Sequence, residues 1–363
     1  MKLRTLIFIS ISFAFVCTCD SPDPDDSIPV TIASVTLQLG SVDVEGAAAF
    51  GRIGGLLVDS QGRIFVADLQ ASEVRVFTPE GNHVFTFGRE GSGPGEMIQP
   101  YCMAWDPDGL LWLRDGNNLR YNAYRIDDDK AEFVEQRKMA HADGNYWVPL
   151  TFKSDGSLID VGHHTDHNGM TQLVRFFLVS DGQRHPPEIV PTVDPSEIGQ
   201  HSVVRETPYG QARIFLHQPY GPRQLVAHGP RGTWAHGVSA RYSLTIITER
   251  DTTQIARNAV APRLSERELA FGQENMEAQA RRVGLPVSQL PFSVPDRKTP
   301  IRAIFYDTGG NLWVERNIRD GQLRSADVWS PDGQLMREVR WPSDVTLTVP
   351  AWVGISSAVG VRN

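Results

Sequence analysis

The chain has 363 residues, a formal net charge of −8 and three cysteines. No basic stripe exists to neutralise phosphates, so the composition argues against nucleic acid as a partner. The length exceeds what one compact core usually organises, which favours repeated units that each carry a core layer of their own.

Residues 1–19 read as a targeting segment: Lys2 and Arg4 supply positive charge, and the apolar stretch Leu6 to Val16 is too short to span a bilayer. Residues 20–28 follow as an acidic disordered tether, because Asp20, Asp23, Asp25 and Asp26 with two prolines have nothing to bury. From residue 29 to the C-terminus the pattern is that of a single β domain. Val30, Ile32, Val35, Leu37 and Leu39 mark a strand ahead of the first repeat, free to complete the last one.

The stretch from Phe50 to Gly95 sets that pattern. Ile53 to Val58, Arg63 to Ala67, Glu73 to Phe77 and His83 to Phe87 are four short β-type runs joined by turn residues, an antiparallel meander with two apolar faces. Its first turn, Asp59 to Gly62, recurs at Asp106 to Gly109, Lys153 to Gly156, Gly229 to Gly232 and Asp307 to Gly310. A second turn follows each one at Gly81, Asp128, Gly182, Asp251 and Gly333. Repeats of roughly 40–50 residues with four strands each point to a β-propeller. Val345 to Val349 and Val353 to Val361 leave an incomplete final blade, to be closed by the N-terminal strand.

These residues resemble a family. GRIFVAD, EVRVFTPEGNHVFTFG and, in the fifth copy, DTGGNLWVER and DVWSPDGQLMREV look like the NHL-type six-bladed β-propeller. The likeness is close from Phe50 to about Asp129, loose in the third and fourth copies, and regained from Ile301 to Trp341. What it implies is an all-β, six-bladed fold with a binding face; the family includes lyases, lactonases and pure binding modules. Val16-Cys17-Thr18-Cys19 in turn resembles the bacterial lipobox. That likeness implies lipidation of Cys19 and a lipid anchor in the cell envelope, with ordinary cleavage and secretion as the other outcome.

Cys102, between Tyr101 and Met103 on an inner strand, reads as a small buried apolar residue. A helical insertion is predicted near 265–284. Ser265 and Glu268 form a capping box, Leu264 and Leu269 a staple, Gly284 a C-terminal cap, and Leu269, Met276, Ala280 and Val283 a common face.

Candidate ligand-binding residues lie on the loops that open on one face of such a ring. The second blade offers Arg114, Asp115, Asn118 and Arg120; the third offers His141, Tyr146, Trp147 and His163. The later blades add Tyr220, Arg223, Glu315 and Arg316. His163, His164, Asp166 and His167 have ligand types that suit a divalent metal, zinc or calcium on the axis. Their spacing matches no established motif, and His163 and His164 point to opposite faces of a strand, so a solvated loop is the plainer reading and no resident cofactor is expected.

Gly88 to Gly95 is glycine-rich, but it lacks the following Lys-Ser/Thr and does not open a helix, so it is not a phosphate loop. Arg89 and Glu96 on it are expected to pair. No G-x-S-x-G, H-E-x-x-H or C-x-x-C occurs, and no catalytic residue is assigned. The sequence therefore predicts a monomeric cell-envelope propeller that binds a small molecule or an envelope protein on its loop-bearing axial face. The alternative is a metal-dependent lyase or lactonase with an axial metal.

Overall fold

The computed structural model describes residues 5–10, 28–40, 45–139, 148–165, 171–178, 188–191, 193–207 and 210–362. Its fold is mostly β, built from four-stranded antiparallel sheets in which neighbouring strands follow one another along the chain. The first sheet holds Ile53–Val58, Ile64–Asp68, Glu73–Phe77 and His83–Phe87. The second holds Pro100–Trp105, Leu111–Asp115, Arg120–Ile126 and Ala131–Lys138. The third runs from Thr151–Phe152 to Glu188–Ile189, the fourth from Gln224–His228 to Thr252–Ala256, and the fifth from Ile301–Tyr306 to Leu335–Trp341.

The turn chemistry is the one the repeats announce. The Asp59 carboxylate accepts from the amides of Gln61 and Arg63, and Gly62 takes φ +80°. Asp106 and Asp307 hold their turns in the same way and also accept the indole N–H of Trp112 and Trp313 from the strand that follows. One carboxylate thus fixes both the turn and the largest core side chain of its sheet.

Each sheet buries its faces against its neighbours. Apolar clusters join the first sheet to the second, the fourth to the fifth, and the fifth to the strands of the C-terminus. Val359 and Val361 pack in turn with Ile53, Ile64 and Phe77 of the first sheet, and Arg175 of the third sheet donates to the Gly232 carbonyl of the fourth. Tyr101 and Trp112 of the second sheet pack with Phe152 and Leu158 of the third, so each sheet meets the next. The first strands approach closely: a Cβ on Gly54 would lie 2.5 Å from the Pro100 carbonyl oxygen, which is why glycine stands there.

The N-terminal segment differs from the single strand expected. It divides at the buried Ala33, whose amide donates to the Arg340 carbonyl, because two sheets take the backbone on either side of it. Val30–Ile32 runs parallel to the last strand of the fifth sheet, whereas Ser34–Leu39 joins the final sheet. In that sheet the backbone of Thr5–Ser10 pairs antiparallel with both Ser34–Leu39 and Ser357–Arg362. The C-terminal strands Val345–Thr346 and Trp352–Val353 also pair with Ser357–Arg362.

Two insertions pack on each other. The hairpin Gln200–Thr207 and Gly210–His217 precedes the fourth sheet, and the helix Glu266–Val283 follows it. Leu216, Met276, Ala280, Val283 and Leu290 form their shared core. The helix ends agree with the sequence: Ser265 and Glu268 exchange the capping-box hydrogen bonds, and Gly284 takes φ +65°. Leu269 departs from the expected buried face and is 40% exposed. Val294 and the Tyr220 ring close over Gly272 instead, so the stripe ends there and Leu269 lines an open groove of about 710 Å³.

Candidate functional site

In the second sheet the predicted polar residues serve one another. Asp115, fully buried at the end of its strand, accepts from the amides of Ile98 and Gln99 and from the side chains of Asn118 and Arg120. Asp68 holds the amides of Gly51 and Arg52 at the same place in the first sheet. A carboxylate at the end of the second strand therefore pins the loop that enters its sheet. Arg120 spreads its guanidinium over the carbonyls of Ser92, Gly93 and Glu96 and over Gln136, so the glycine-rich loop wraps an arginine of its own chain. Arg89 pairs with Glu96 at 2.8 Å as expected. The Gly93 amide, and then Arg89, hold the Glu96 carboxyl below its ordinary range.

Arg114 is fully buried, pairs with Asp160 of the third sheet and donates to the Val148 carbonyl. Tyr121 adds its hydroxyl to the same carboxylate. Burial pushes the Asp160 carboxyl up against the pull of Arg114. Cys102 lies beside them at a bulge, and burial raises its thiol to about 11, so it is the inert residue the sequence predicts.

Between the fourth and fifth sheets the same repeat positions carry different chemistry. Strand register puts Glu315 where Arg114 stands and Arg316 where Asp115 stands. Arg316 reaches Glu338 at 2.9 Å and Asp327 at 3.5 Å. Asp327, fully buried, also receives the Tyr242 hydroxyl at 2.5 Å and Arg257 at 2.8 Å.

Glu315 is the centre of the site. It is fully buried, and its Oε1 accepts from Arg302 at 2.7 Å and from Arg324 at 3.1 Å. Its Oε2 has no hydrogen-bond partner among the described residues. Arg302 is the extra residue of a bulge between Ile301 and Ala303, the device by which an inner strand re-aims one side chain. Arg223, exposed just ahead of the fourth sheet's first strand, brings a third guanidinium and forms no ion pair among the described residues. Desolvation first and the Arg302 charge second push Arg223 and Arg324 below the ordinary arginine range, while Glu315 pulls the other way.

Tyr220 completes the surroundings at φ +56°, its ring on Gly272 of the helix. Partial burial, then Glu268 and Asp320, raise its hydroxyl.

The structure thus gathers Arg223, Glu315 and Arg316 from the predicted set, with Tyr220 three residues before Arg223; it keeps Asp115, Asn118 and Arg120 in a separate, internally paired group and pairs Arg114 with Asp160 of the third sheet. His141, Tyr146, Trp147, Asp166 and His167 lie outside the described residues. His163 and His164 pair through their backbones with Leu173 and Gln172. Among the described residues no three His, Cys, Asp or Glu side chains cluster as a metal's ligands would. Arg302 and Arg324 were not among the candidates. Their signal was present in the sequence: a lone charge inside the apolar run from Ile301 to Phe305, and an arginine opening the next strand but one.

Repeated four-stranded sheets around a cation-rich mouth define this chain as a propeller-like β protein with a candidate binding site at the ends of its inner strands. No family model and no curated protein matches it. Among solved structures it is similar to a protein from Lactobacillus plantarum, at 12% identity and TM-score 0.45, over 99% of this chain and 100% of that one. It is also similar to virginiamycin B lyase from Staphylococcus aureus, at 12% identity and TM-score 0.38, over 86% of this chain and 80% of that one. A streptogramin B lyase follows at 13% identity and TM-score 0.36, over 78% and 79%. Two of these three are lyases, the class of the enzymatic alternative; at such scores they carry neither activity nor ligand over to this chain.

Proposed function

We propose that the chain is a six-bladed β-propeller of the bacterial cell envelope that binds a ligand at the mouth formed by Arg223, Arg302, Arg324 and Glu315. The circuit of sheets supports the ring; in its final sheet Ser34–Leu39 is bonded through Thr5–Ser10, so cleavage ahead of Cys19 requires Ser34–Leu39 to move one place and pair with Ser357–Arg362 directly. One observation carries the function: Arg302 and Arg324 both bond the buried carboxylate of Glu315, with the exposed Arg223 charge nearby between the fourth and fifth sheets. The mechanism is pre-organisation, in which side chains already held by strand ends lose little entropy when a ligand docks. Soaking crystals in a mixed fragment library tests this. Fragment density at the mouth is the expected result, and density only elsewhere removes the proposal.

The second reading, a metal-dependent lyase or lactonase, rests on His163, His164, Asp166 and His167. Stoichiometric zinc or calcium by elemental analysis, with a melting temperature lowered by chelator, is its requirement. Anchoring through Cys19 is part of the same proposal. Mass spectrometry of the protein from bacterial membranes is expected to show a diacylated Cys19 as first residue; an unmodified N-terminus beyond it would make the protein secreted.

A further inference from the structure

The mouth holds an imbalance of charge found at none of the buried arginines elsewhere in the fold. Arg120 meets three carbonyls, a carboxylate and Gln136; Arg75 meets Glu73 and the carbonyls of Ala47 and Ala49. Arg302 and Arg324 have one carboxylate between them, Glu315, with the Ser343 carbonyl accepting from Arg324 Nε, and Arg223 forms no ion pair among the described residues. The nearby acids are engaged: Asp327 by Tyr242, Arg257 and Arg316, Glu338 by Arg316 and Arg340, and Asp344 by Arg362. Arg223 is held through its backbone, the amide donating to the Ser239 hydroxyl and the carbonyl accepting from the Ser239 amide.

Like charges crowded in a half-desolvated place repel, and the repulsion is relieved only by a negative partner. Surface arginines usually turn outward into water. Here the bulge at Arg302 and the two hydrogen bonds at Glu315 Oε1 hold two of the three in place.

We propose that the mouth is an anion site and that its ligand is a small organic anion presenting a carboxylate or phosphate group to Arg223 and Arg302. This rests on the binding function proposed above and names the class of its ligand. The planar, five-donor guanidinium matches both oxyanions in a way a lysine does not. Glu315 is a positioning residue: it keeps Arg302 and Arg324 extended and leaves Arg223 without a carboxylate of its own. The net charge of −8 opposes a polyanion, so the site suits a small anion.

Calorimetric titration of the full chain with citrate, glycerol phosphate, inorganic phosphate and uncharged glycerol, at fixed ionic strength, is the test. The anions are expected to bind and glycerol is not. Citrate against glycerol phosphate separates the carboxylate source from the phosphate source. Arg223→Gln and Arg302→Gln are each expected to weaken binding about tenfold or more, the loss of one charge-assisted contact. Because Arg223 is exposed and unpaired, Arg223→Gln is expected to melt like the parent, so a null result there is not a folding failure. Neutral fragments at the mouth together with anions that do not bind would leave the binding function standing and sink the anion class. Anions that bind equally well to both variants, or that respond no differently from chloride, would also sink it.

Discussion

Arg114 and Glu315 occupy the same position in two copies of one repeat, and their surroundings differ in a single respect. Around Arg114 the charges close: Asp160 faces it, Tyr121 supports Asp160, and all are buried. Around Glu315 they do not, because two guanidinium groups bond one oxygen, a third, Arg223, lies near with no ion pair, and the other oxygen has no partner among the described residues. The strand is the same and the loop-bearing end is the same. A polar residue at a strand end is therefore structural where its partners balance it and available to a ligand where they fall short. Residue type alone does not separate the two.

The comparison breaks most visibly at the balanced seam. Asp160→Asn leaves Arg114 charged and buried without its counter-ion, and urea denaturation is expected to show a loss of about 3–5 kcal/mol that no added anion restores. Next in size is the seam between the third and fourth sheets. His228 is buried beside Arg175, and burial first and that charge second push its imidazole down to about 3 from 6.5. The depressed value means that the unfolded chain takes up the proton first as pH falls. The stability this group contributes is full above pH 6.5 and is lost as pH falls through the window towards 3. Melting temperature in His228→Gln is expected to fall less over that window than in the parent; equal slopes would remove His228 from the seam.

Smaller effects sharpen the contrast. Glu315→Gln is expected to cost about 1–3 kcal/mol, less than Asp160→Asn, because Arg302 keeps a third of its side chain in water. Unlike the Asp160 variant it should regain melting temperature in phosphate, by linkage to the bound anion. A Glu315 variant indifferent to phosphate would make the two regions alike. Last comes Ser265→Ala, which removes the helix cap for about 1 kcal/mol and should leave anion titration unchanged, since the cap serves the insertion and not the mouth.

Much of this molecule is local and was legible as such. A turn needs a glycine at positive φ and a short acceptor before it, so Asp59, Asp106 and Asp307 announce their hairpins from neighbouring residues alone. The capping box at Ser265 is equally local, and it formed as written. Leu269 did not behave as its periodicity implied, because Val294 and Tyr220, distant in sequence, took the space at Gly272. The N-terminal strand divided at Ala33 for a similar reason: two sheets, neither adjacent in sequence, compete for its backbone.

Charge balance is where sequence reading ended. That Arg114, Asp115, Asn118, Arg120, Arg223, Glu315 and Arg316 sit near strand ends follows from their spacing. Whether each is consumed by a partner depends on residues as far as 46 or 85 positions away, as with Arg114 and Asp160 or Tyr242 and Asp327. The sequence by itself determined the strands of the repeats, their turns and the helix, since those follow from backbone conformation and nearest neighbours. Only the tertiary structure decided which charges were answered, because Coulomb attraction and burial act between atoms that folding alone brings together.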